Sequence, residues 1–401
     1  MMQNERKRIL AMLENGTITT EEALTLLETL GKTGQVEKSP EAKQTTVKAQ
    51  ELEKQYSEPK QQEKVDPFEK AEPIIEDKDQ DQPSMDEFLE DLTKDFTNVG
   101  DRFMQFMQSA VQKVKSFEFD SPFGNTVTFD HTITKPATEI DEVIIDIDNG
   151  KVTIHTGETE EIRADFTVKT YNSESEEKAK KDFLEKLLFV NDEGKIRISS
   201  DLKMVQVNVE LFIPKKDYAR ISARLLNGSF KMKDATAEKV KVKTANGKIE
   251  IAGLTFKNGE FETVNGSIGL NDVTATTIEA ETLNGRVYID GAVKDVEAQS
   301  LNGHVVVTTT DLAAEKIEAK TMSGTVEIYI PIGVALSGEI ASNMGRLDLK
   351  LEDVDRTVEQ EQLLHRTIRF KKDVEGNPSP LHIFGEAKTG SVLVCYNAKK
   401  E

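Results

Sequence analysis

Tryptophan is absent from this 401-residue chain, cysteine occurs once and histidine five times. A lone Cys395 excludes an intrachain disulfide. It sits in the strand-like run Val392-Leu393-Val394-Cys395-Tyr396, which reads as a packed thiol rather than a reactive one. His131, His155, His304, His365 and His382 lack metal-ligand spacing, and the chain has no G-x-S-x-G, phosphate loop or HExxH. No apolar run approaches a membrane span, and Met1 to Leu10 has neither the apolar stretch nor the cleavage site of a signal peptide. Positive charge is in deficit: 52 basic against 72 acidic residues leave a net −20. That balance disfavours nucleic acid as a partner and any whole-surface attraction to anionic membranes. The expectation is a cytoplasmic protein without catalytic residues, cofactor or metal.

What the chain does have is a repeat. Gly228, Gly247, Gly266, Gly285 and Gly303 are spaced 19, 19, 19 and 18 residues apart; Gly324 and Gly345 follow at intervals of 21, and Gly390 comes later. Two and four residues after each glycine stand apolar side chains, as in Ile249 and Ile251 or Ile268 and Leu270. Five residues before stand Ala223, Val242, Phe261, Ala280, Ala298, Ala319 and Ile340. Asparagine precedes the glycine at Asn227, Asn246, Asn265, Asn284 and Asn302. A fixed period of this length means stacked units, each with two short strands that turn one face inward. Asn-Gly between alternating strands also fits an antiparallel meander of hairpins. A mainly β fold built as a single-stranded β-solenoid is preferred, because stacking of like on like explains why the columns keep their residue class. The Asn-Gly pairs are read as structural turns, with glycine supplying positive φ. Outward positions such as Lys231, Glu250, Tyr288, Val306 and Glu327 vary as a solvated face does, and the plentiful acids do not recur or pair in a way that singles any out.

The first third is different. Residues 1–31 read as a helical hairpin whose second helix offers Leu24, Leu27 and Leu30; two short helices cannot bury these alone, so they are candidate partner-binding residues. Residues 32–83, with five prolines among charged residues, read as a disordered linker. Residues 84–117 read as one amphipathic helix. Met85, Leu89, Leu92, Phe96, Val99, Phe103, Phe106 and Ala110 step by four and three along it. It is expected to cap the solenoid or to self-associate. The solenoid is expected over 118–401, with regular repeats at 221–349, a helix at 174–189 beginning at Ser173, and a C-terminal cap at 350–401.

Residues 1–31, with Glu5-Arg6-Lys7-Arg8-Ile9-Leu10 and Thr20-Glu21-Glu22-Ala23-Leu24, resemble the N-terminal domain of the LiaX and YvlB group. Residues 140–397 are similar to the β-strand-repeat, adhesin-type domain of that group. The resemblance implies a Gram-positive cell-envelope stress protein linked to membrane-active antimicrobial peptides, acting as a scaffold or sensor. Its partner would be a protein, either an envelope-stress regulator or a membrane protein. It also allows a membrane- or surface-associated location. A surface adhesin or glycan-binding solenoid and a self-assembling scaffold remain as alternatives.

Overall fold

The computed structural model describes residues 126–397, apart from 138–139, 172, 201, 203, 360–364 and 377–378. The hairpin 1–31, the linker 32–83 and the segment 84–117 lie outside the described residues.

Consecutive repeats pair in parallel. Strand Thr236–Asn246 lies between Asp217–Asn227 and Thr255–Asn265, joining Val242 to Ala223 on one side and to Phe261 on the other. The short strand Ile249–Ala252 lies likewise between Phe230–Lys233 and the start of Ile268–Asn284. A hairpin meander would pair neighbours antiparallel, so the stack is solenoid-like. One coil is a short strand, a turn and a long strand, and two sheets result: one of short strands, one of long. The core lies between them. Val242, Phe261, Ala280, Ala298 and Ala319 are fully buried, as are Ile249, Ile268, Val287, Val305 and Val326.

Both ends of the stack depart from chain order. By residue range, the coils run 195–214, 142–157, 217–233, 236–252, 255–270, 274–289, 293–307, 316–330, 381–396 and 336–350. Leu381–Ala387 is inserted between Lys316–Ser323 and Leu336–Ser342. Val392–Tyr396 is inserted between Val326–Ile330 and Leu347–Lys350. The tail expected to cap the stack therefore supplies an interior coil, and Gly390 stacks directly on Gly324. The earlier part of the same tail does close the C-terminal end, through antiparallel strands Arg366–Lys372 and Asp355–Glu359.

At the other end, strand Thr126–Pro136 pairs antiparallel with Glu161–Tyr171, which in turn pairs antiparallel with Val205–Pro214. The helix Glu176–Lys186 seals this end. It starts at Ser175, whose hydroxyl accepts the backbone N–H of Lys178, rather than at the expected Ser173. Phe183 packs edge-on against Phe129 and Phe166, while Leu184 and Leu188 stay exposed. These elements cover the N-terminal edge of the stack.

Candidate functional site

The Asn-Gly turns form one continuous edge. At each glycine a Cβ atom would overlap the carbonyl of the glycine one coil back: Gly247 meets Gly228, Gly266 meets Gly247, Gly285 meets Gly266 and Gly303 meets Gly285. Close approach, not positive φ, is the shared requirement, since Gly228, Gly266 and Gly285 are not at positive φ. Three residues before the glycine, buried hydroxyls of Thr244, Thr263, Thr282, Ser300 and Thr321 donate to those same carbonyls at 2.9–3.0 Å. This inner hydroxyl column was missed in the sequence, although the recurring Thr/Ser-x-Asn-Gly is its signature. On the water side, Asn227, Asn246, Asn265, Asn284 and Asn302 form a ladder. Each Nδ2 donates to the Oδ1 below, starting from Asn149, at 2.7–3.0 Å. The amides thus satisfy one another along the ladder.

The outer face of the long strands carries the charge. Six residues before successive glycines stand Glu260, Glu279, Glu297 and Glu318, adjacent in register. Acids therefore do recur with the repeat, contrary to the sequence reading; the alternating glutamates along each strand had hidden the column. Glu262 and Glu281 form a second column beside the first.

Like charges one ladder step apart repel, and lysines at both ends offset this. Lys241 and Lys243 pair with Glu260, and Lys243 also with Glu262. Lys316 and Lys320 hold Glu318 at 2.7 and 2.6 Å. Burial opposes ionisation of Glu260, but hydrogen bonds with Glu262 and the two lysines prevail and bring its pKa to about 2. Burial, together with the proximity of Glu260, pushes Glu262 the other way, above the ordinary carboxylate range. Burial opposes the charge on Lys243 too, yet its carboxylate partners raise its pKa.

The histidines have separate local roles. His155 stacks on Phe212 at 4.7 Å, the Nδ1 of His304 accepts the Thr325 N–H, and His365 bonds Asn343. Among the described residues no group of histidine, cysteine and carboxylate side chains is arranged to hold a metal ion. A polar cleft of about 740 Å³ near the N-terminal end is lined by Asp130, Lys151, Arg163, Asp165 and Glu210. Within it, Arg163 pairs with Asp165 at 3.1 Å, and Thr132 and Thr167 bond the two aspartates. Burial raises the pKa of Cys395, consistent with a packed thiol. No described helix is long and apolar enough to cross a membrane. Leu24, Leu27 and Leu30 fall outside the described residues. What the described surface offers is an edge of amides and a face of ordered charge, both extended over several coils.

The Toastrack DUF4097 family matches residues 140–373, more than half of the chain. The chain belongs to this family. A SHOCT-like domain matches residues 4–35, where the sequence places the helical hairpin. The uncharacterized protein YvlB of Bacillus subtilis (strain 168) is 32% identical over 398 residues, covering 99% of this Toastrack chain and all of YvlB. Among solved structures, one from Bacteroides fragilis NCTC 9343, provisionally described as an adhesin, covers 68% of the chain and 99% of its own. It has 13% identity and a TM-score of 0.37. Another, from Parabacteroides distasonis ATCC 8503, is provisionally described as a lipid-binding protein. It covers 67% and 96% with 12% identity and a TM-score of 0.35. At these values the structural likeness says nothing of function. The matches point to no enzyme.

Proposed function

We propose that this Toastrack protein is a non-enzymatic binding scaffold of the cell-envelope stress response, engaged by damage from membrane-active antimicrobial peptides. The observation that carries the reading is the extended, repeated outer surface. Its asparagine amides run as one exposed, mutually paired edge from Asn149 to Asn302, which suits a broad macromolecular contact better than chemistry on a small substrate. The N-terminal module serves as the docking piece: Leu24, Leu27 and Leu30 need a protein surface to cover them, and the linker gives them reach. The partner is a membrane protein or envelope-stress regulator, met from the cytoplasmic side.

The test is capture from stressed cells with the full chain and with a Leu24→Asp, Leu27→Asp variant, alongside separation of cytosol, membrane and surface fractions. The expected result is one protein partner recovered by the parent and lost with the variant, and a shift of the protein to the membrane fraction under peptide stress. Equal recovery by both chains overturns the docking role. Presence at the outer surface alone replaces the scaffold by an adhesin.

A further inference from the structure

A sheet face turned to water rarely buries glutamate. Here Glu262, Glu281 and Gln299 point away from the core and yet retain only 2%, 3% and 6% of their exposure. Beside them Ala245 and Val264 are buried, with Leu226 and Leu283, in an apolar cluster separate from the core. Leu301 and Met322 continue that column along the stack.

We propose that residues 84–117 form a helix lying lengthwise on this face, with its apolar stripe against the column from Leu226 to Met322. The dimensions agree. A helix over 84–117 is about 50 Å long at 1.5 Å per residue. The ten coils span about 45 Å at some 4.8 Å per step. The direction follows from the chain. Strand Thr126–Pro136 sits at the N-terminal end of the stack. Residues 118–125 reach at most about 28 Å, too short to start from the far end. Residue 117 therefore lies near the first coil, and residue 84 near the last.

That direction also matches the charges, which were not used to choose it. Arg102 falls about 22 Å from the helix end. Glu262 and Glu281, four and five steps along the stack, lie at about 19 and 24 Å. The acidic half of the helix, from Asp86 to Asp95, begins about 33 Å along. Lys316 and Lys320, seven steps along, lie at about 34 Å. The opposite direction would set Asp86 to Asp95 near Asp146 and leave Arg102 no better placed. The occupant is this segment of the same chain and not a second copy.

Disulfide trapping in the full chain tests this. With Cys395→Ser as background, Phe103→Cys is combined with Val264→Cys or Leu283→Cys, and as control with Glu250→Cys on the other sheet. Mild oxidation is expected to give an intramolecular disulfide in the first two variants, and none in the control. Adding Arg102→Glu should lower the yield several-fold, and Glu281→Lys should restore it. Disulfides joining two chains assign the face to a second copy and overturn the proposal. Equal yields in all three pairs, or no disulfide with Val264→Cys and Leu283→Cys, also overturn it. Circular dichroism and thermal melting of each pair against the Cys395→Ser parent verify that an absent disulfide is not misfolding.

Discussion

Two glycines three residues apart test whether crowding, rather than flexibility, governs the turn edge. A methyl group at Gly266 would overlap the backbone carbonyl of Gly247, and neither backbone can move without shifting a coil. Gly269 lies on the outer face, with its nearest potential contact at 3.8 Å. Gly266→Ala should cost at least about 3 kcal/mol, the upper part of the range for overpacking. Gly269→Ala should remain within about 0.5 kcal/mol of the parent, as open surface positions do. Thermal melting of the two variants checks this, and equal melting temperatures would reject the close-approach account. Thr263 makes the same point from inside: its hydroxyl satisfies the Gly247 carbonyl at 3.0 Å, a bond worth about 1 kcal/mol.

On the long-strand face, the paired carboxylates Glu260 and Glu262 give opposite pH signatures. Glu260 has a folded pKa lowered to about 2, so its contribution is present above the ordinary carboxylate range and is lost as pH falls toward 2. The folded pKa of Glu262 is raised, so it binds its proton more tightly when folded, and ionising it costs stability as pH rises. Glu260→Gln should therefore lower the melting temperature at pH 7 and have progressively less effect as pH falls toward 2. Glu262→Gln should raise it at pH 7, because ionising Glu262 opposes folding there. That gain should shrink as acidification protonates Glu262 in the parent. Melting curves from pH 2 to 7 decide it, and parallel profiles for the two variants would reject the assignment.

Across the whole molecule, the inserted C-terminal coil ties the end of the chain to its interior. Removing residues 379–401 deletes a coil between Lys316–Ser323 and Leu336–Ser342, leaving two unpaired sheet edges facing a gap. In a stack held by nearest-neighbour contacts the damage should stay near that end. Hydrogen exchange of the truncated chain should show lost protection across 316–350, with 236–270 still protected and self-association through the bare edges. Unchanged protection at Lys316–Ser323 would mean that the tail is peripheral after all.

The repeat, the inward columns and the turn edge were legible in the sequence because each depends on contacts between identical positions of adjacent repeats. A period of 19 residues places Val242, Phe261 and Ala280 in one column whatever else the chain does. The inner hydroxyls and the glutamate column share that period and were equally present, but their meaning depends on knowing that repeats stack in parallel. Only then do Glu260 and Glu279 become neighbours rather than residues 19 apart. The inverted coil order could not be read at all. The coil 142–157 and the coil 381–396 carry the same local pattern as their neighbours, so any place in the stack would satisfy their strands equally. The choice is made by the ends: Phe183 must fill the N-terminal opening and Arg366–Lys372 must close the other, and only tertiary packing brings those elements into competition for the same edges.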